Sequence, residues 1–98
     1  MSSMRQLMKQ AQEMQEKLQR ELAETVVEAS VGGGMVTVKM SGHKQLVGCK
    51  IDPEVMDRED PSMLEDLIIA AVNEAGRRVE ETMQGKMGSM ASSLPGLF

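Results

Sequence analysis

The chain has 98 residues, a net charge of −4, one cysteine (Cys49) and one aromatic residue (Phe98). That length is enough for one domain, which buries only about 60–65% of the surface of its unfolded form and so has a thin margin from its own core. A lone cysteine excludes an intramolecular disulfide and fits a reducing compartment. A single aromatic excludes the base-stacking platforms of single-strand binders, and the longest apolar run, Leu67 to Val72, is too short to span a membrane.

From Ser3 to about Glu24 the apolar positions Met4, Leu7, Met8, Ala11, Met14, Leu18 and Leu22 fall within a stripe about 120° wide on a helix, which predicts a long amphipathic first helix. Gln, Glu, Lys and Arg fill its other faces, and Glu13–Lys17 and Glu16–Arg20 stand at i,i+4 in the favourable order. The period then changes to two. Thr25–Val31, Met35–Ser41 and Gln45–Asp52 read as strands, separated by Gly32-Gly33-Gly34 and by the turn Ser41-Gly42-His43-Lys44. Val47, Cys49 and Ile51 share a face of the third strand, so Cys49 is expected to pack. Short glycine-containing connections predict hairpins and an antiparallel meander.

After an acidic turn, Asp60-Pro61 reads as a helix start with an aspartate N-cap. Leu64, Leu67, Ile68, Ala71, Val72, Ala75, Val79 and Met83 form the stripe of a second helix. Ile69 and Ala70 widen that stripe, as in a helix covered on more than one side. The helix is expected to fade near Gly85–Gly88. The fold class is therefore α+β in the order helix, three-stranded meander, helix, with residues 1–88 as a single dimerising domain and 89–98 as a flexible tail. The dimer follows from lengths. A first helix of about 33 Å cannot lay its whole stripe on three strands spanning about 14 Å, and exposed apolar stripes are disfavoured in soluble monomers. Met4, Leu7, Met8, Ala11, Met14 and Leu18 are the expected dimer interface, and eleven methionines are expected to serve as flexible core filler.

Catalytic and cofactor chemistry find little support. His43 and Cys49 could form a nucleophile pair, but a turn histidine and a packed cysteine explain them more simply. The acidic turn lacks the spacing and glycine of an EF-hand loop. Gly32-x-Gly34 has Thr37 where a dinucleotide fingerprint needs glycine, and it leads into a strand rather than a helix. No catalytic residue, metal or cofactor is expected. The acidity is concentrated, with residues 52–66 summing to −6 and leaving +2 on the rest of the chain. Arg5, Lys9 and Arg20 share a sector of the first helix, interrupted by Glu16. Arg77 and Arg78 follow on the second helix, where Glu74–Arg78 and Arg77–Glu81 can pair, and Arg78 stands beside the apolar stripe where it can bridge to another element.

The segment Met8-Lys9-Gln10-Ala11-Gln12-Glu13-Met14-Gln15-Glu16-Lys17-Leu18 resembles the opening helix of the YbaB/EbfC family of bacterial nucleoid-associated proteins. The likeness continues through Gly32-Gly33-Gly34, Ile51-Asp52-Pro53, Leu64-Glu65-Asp66-Leu67-Ile68, Ala70-Ala71-Val72-Asn73 and Leu94-Pro95-Gly96-Leu97-Phe98, nearly the whole chain in order. The resemblance implies an α-β-β-β-α homodimer with projecting helices, located in the cytoplasm and nucleoid. It also implies binding to double-stranded DNA with little sequence preference and an effect on gene expression or nucleoid organisation. It places the DNA contacts on the first helix and the end of the second, which here hold Arg5, Lys9, Lys17, Arg20, Arg77, Arg78 and Lys86. The alternative is a protein-interaction module that docks a protein partner through the first-helix stripe and the tail.

Overall fold

The computed structural model describes residues 2–92. Over them the chain runs α1 (Ser2–Glu24), β1 (Val26–Val31), β2 (Val36–Ser41), β3 (Leu46–Ile51), a 3-10 turn at Pro53–Val55 and α2 (Ser62–Ser92). The strands form one antiparallel sheet in the order β1-β2-β3, the expected meander. All three glycines of the first hairpin loop adopt positive φ, at 64°, 68° and 94°. An L side chain is strained there, which is why the loop is a glycine triplet.

The core lies between one face of the sheet and α2. Ala29 of β1 and Val36, Val38 and Met40 of β2 point to one side by strand alternation, and they meet Ala71, Ala75 and Val79, four residues apart along α2. Val27, Val31, Ile51, Leu64, Leu67, Ile68, Val72 and Met83 pack around that centre. Because α2 packs on β1 and β2, it leaves β3 open. Cys49, opposite Val38 in the register and expected to pack, is therefore exposed. Leu46 and Val47 beside it are 49% and 58% exposed, next to a register shift that pairs Met40 with Leu46.

Both ends of α2 differ from expectation. The carbonyl of Pro61 accepts the first helical bond, from Glu65 N–H at 3.0 Å, while the Asp60 carboxylate accepts from the Ser62 hydroxyl instead of capping an amide. The helix does not fade at Gly85–Gly88 but continues to Ser92. Met83 packs on the core, and Lys86 donates to the Thr25 hydroxyl at 2.6 Å, which ties this stretch to the body against the cost of two glycines. Residues 89–92 of the expected tail are thus helical, and 93–98 lie outside the described residues. Ile69, expected to be covered, is 59% exposed, and Ala70 is exposed with it.

Among the described residues the first helix is rooted at its C-terminal end. The Gly42 amide donates to Leu22 O at 3.1 Å and Thr25 O at 3.0 Å, so it satisfies a carbonyl the helix end would otherwise leave open. A Cβ on Gly42 would stand 2.5 Å from the Leu22 carbonyl oxygen, so this docking needs glycine. Thr25, 7% exposed, turns its amide and hydroxyl back to Glu21 O and accepts from Lys86. Beyond this root, residues 3–17 are all exposed. The chain measures 70 Å along its longest axis with a radius of gyration of 19.3 Å, against about 13 Å for a compact chain of this size.

Candidate nucleic-acid interface

The projecting part of α1 has two faces of different chemistry. On one, Met4, Leu7 and Met8 are 72%, 65% and 64% exposed, with Ala11 and Met14 exposed behind them and Leu18 half-buried where the helix nears the body. Among the described residues the methionines expected as core filler are mostly outside: Met40 is buried and Met83 packs on the core, while Met4, Met8, Met56, Met63 and Met87 lie at the surface. On the other face, Arg5, Lys9, Lys17 and Arg20 make no ion pair or side-chain hydrogen bond among the described residues. The expected Glu13–Lys17 and Glu16–Arg20 pairs are not formed. Four acids, Glu13, Glu16, Glu21 and Glu24, balance the four cations over the whole helix, but Arg5 and Lys9 precede every acid. The free end of the arm is therefore positive and its root negative.

The cations of α2 are in a different state. Arg77 bridges Glu74, at 2.6 Å, and Glu81. Arg78 donates to the Glu74 carboxylate at 3.0 Å and, through Nη1, to the Glu28 carbonyl of β1 at 2.7 Å, the bridge to another element that its place beside the stripe suggested. Hydrogen bonds from Arg77 and then Arg78 hold the Glu74 carboxyl down at about 2, and Glu74 in turn raises Arg77. Glu80 on the same helix pairs with Lys44 of the β2–β3 turn, which lowers its carboxyl. With Lys86 bonded to Thr25, the three α2 candidates fasten the helix to itself, to β1 or to the junction between α1 and β1. Among the described residues the structure thus divides the sequence-derived set into four unpaired cations on the arm and three bonded ones on the body.

Among the described residues no group of three or more His, Cys, Asp or Glu side chains is placed to hold a metal ion. No described helix is long and apolar enough to cross a membrane. Cys49 and His43 are both exposed and share no hydrogen bond. The open apolar edge at Leu46 and Val47 was not anticipated from sequence, where both residues read as ordinary strand positions. Only the placement of α2 over the other two strands exposes them.

The fold and its surface define an α+β chain with a projecting amphipathic helix, cationic at its tip and apolar along one side. It belongs to the YbaB/EbfC DNA-binding family, whose profile matches residues 1–94. Among its bacterial relatives it is 51% identical to a nucleoid-associated protein of Koribacter versatilis, over 96% of this chain and 95% of that one. It is 52% identical to a nucleoid-associated protein of Acidobacterium capsulatum, over 97% and 95% of the two chains. Its fold is similar to that of an uncharacterized protein from Helicobacter pylori, with a TM-score of 0.75, 25% identity and coverage of 93% and 96%.

Proposed function

We propose that the chain acts as a nucleoid-associated homodimer that binds duplex DNA largely without regard to sequence, in the bacterial cytoplasm. The observation that carries the proposal is the α1 arm, whose cations are unpaired and whose apolar stripe is exposed among the described residues. A second copy covering Met4, Leu7, Met8, Ala11, Met14 and Leu18 removes the exposed stripe and places two positive tips about a two-fold axis. Arg5 and Lys9, then Lys17 and Arg20, supply the phosphate contacts. Arg77, Arg78 and Lys86 hold the body in place and add their remaining donors to the field.

Phosphate contacts release counterions, so the logarithm of the binding constant should fall linearly with the logarithm of salt concentration. A gel shift with unrelated duplexes over a salt series, with molar mass measured by light scattering, tests the reading. The expected result is a dimer with similar affinity for all duplexes and a slope of a few units. A monomer, or no binding at low salt, would refute it. The exposed stripe also favours a second reading, a module that docks another protein. That reading predicts a stoichiometric protein partner surviving nuclease treatment and no salt-dependent shift of duplex DNA.

A further inference from the structure

The face of the sheet turned away from α2 is polar and open. In the register, Glu28, Lys39 and Gly48 stand in one row across the three strands, and Ser30, Thr37 and Lys50 in the next. Directly opposed residues share a face, so these six lie together on the side opposite Ala29 and Val38. Glu28, Ser30, Lys39 and Lys50 are exposed and Thr37 is half-buried. Neither lysine has an ion-pair partner among the described residues.

The local geometry pushes the charge toward one corner. A Cβ on Gly48 would lie 3.5–3.7 Å from Cβ, Cγ and Cδ of Lys39, so the lysine stem rests across that glycine. It leans toward β3 and away from Glu28, the one acid in its row. Lys50 stands diagonal to Lys39, a relation that places Cβ atoms about 7 Å apart. A DNA strand carries one phosphate per about 3.4 Å of its axis, so two lysines this close can each meet a phosphate of the same backbone. Beside them the Ser30 and Thr37 hydroxyls share one hydrogen bond at 3.0 Å, which leaves one hydroxyl proton free to donate outward.

We infer that this open sheet face, through Lys39 and Lys50 with the Ser30–Thr37 hydroxyl pair, is a second phosphate-contact surface for the DNA backbone, separate from the α1 arm. The inference rests on the DNA-binding reading above. Two unpaired ammonium groups beside a free donor suit a row of anionic oxygens. A protein partner would need an apolar anchor at the centre of the patch, and the two rows at that centre, Glu28–Lys39–Gly48 and Ser30–Thr37–Lys50, hold none.

The test uses the full chain with K39E/K50E and, as a milder pair, K39Q/K50Q. Binding of an unrelated duplex is followed by fluorescence anisotropy over a salt series, with circular dichroism to confirm the fold. Each lost phosphate contact should remove about 0.9 from the salt slope. K39Q/K50Q should therefore be shallower by about two units for each engaged face, with affinity at 0.1 M salt down roughly tenfold to a hundredfold. K39E/K50E should lose at least as much. If a folded K39Q/K50Q chain binds with the wild-type slope and affinity while R5E/K9E does not, the sheet face is excluded and the DNA-binding reading stands. If the wild type shows no salt-dependent binding, both fall.

Discussion

The two helices begin from similar sequence patterns, an apolar stripe on a polar cylinder, and end in opposite environments. On α2 the stripe is filled by the sheet: Ala71, Ala75 and Val79 are at most 1% exposed, and the cations around them are tied to Glu74, Glu81, Glu28 and Thr25. On α1 the stripe from Met4 to Met14 is exposed, and its cations are unpaired among the described residues. Propensity runs the other way, since α2 carries Gly76, Gly85 and Gly88 and α1 has no glycine. The difference lies in attachment, because α2 returns along a hairpin-built sheet while α1 is rooted at its C-terminal end, where the Gly42 amide bonds the Leu22 and Thr25 carbonyls. Burial makes the body, and projection leaves the arm free to meet a partner.

Matched substitutions should separate the two regions most strongly. Val79→Asp places an unpaired charge in the core and should unfold the protein, a loss of more than about 4 kcal/mol by chemical denaturation. Leu7→Asp on the exposed arm should change the stability of the single-chain fold by less than about 0.5 kcal/mol and shift the molar mass toward the monomer. Equal destabilisation by both would erase the distinction between body and arm.

Glycines sharpen it further. Gly42→Ala drives a methyl group into the Leu22 backbone and should cost about 1–3 kcal/mol, with amide exchange rising fastest over residues 18–25. Gly85 and Gly88, helical with open space around a Cβ, should behave in the opposite way. Replacing either by alanine should stabilise α2 by up to about 1 kcal/mol, read as a higher thermal midpoint.

The smallest effect concerns pH. The Glu74 carboxyl sits at about 2 instead of 4.5, chiefly through the hydrogen bond from Arg77. A depressed carboxyl contributes stability that is present above its unfolded value and is lost as pH falls toward the folded one. Between pH 4.5 and 2 the thermal midpoint should therefore fall, and Glu74→Gln should flatten part of that dependence. Because the site is solvated and screened, the change should be modest and should shrink in high salt.

Much of this was legible in the sequence because it follows from periodicity. The stripes of α1 and α2, the alternation of β2 and the glycine triplet each carry a local signal, and the structure has all of them. The bridge from Arg78 to β1 was also foreshadowed, by the residue's position beside the stripe. What escaped depends on where elements sit in space. Cys49 alternates correctly with Ile51 yet is exposed because α2 lies over the other two strands. Gly85 and Gly88 read as a helix end, but the Lys86–Thr25 bond spans 61 residues and has no local trace. For the site, sequence supplied the cations but not their partners, and the partners separate the α1 set from the α2 set.

The central claim is that the unpaired cations of α1, not the paired ones of α2, hold the duplex. It is tested most directly by the salt slope of binding for R5E/K9E beside that for R77Q, on an unrelated duplex. The account predicts a slope shallower by about two units for each engaged arm in R5E/K9E, with at least tenfold weaker binding, and a much smaller change in R77Q. An unchanged slope in R5E/K9E, or a larger loss in R77Q, would contradict it.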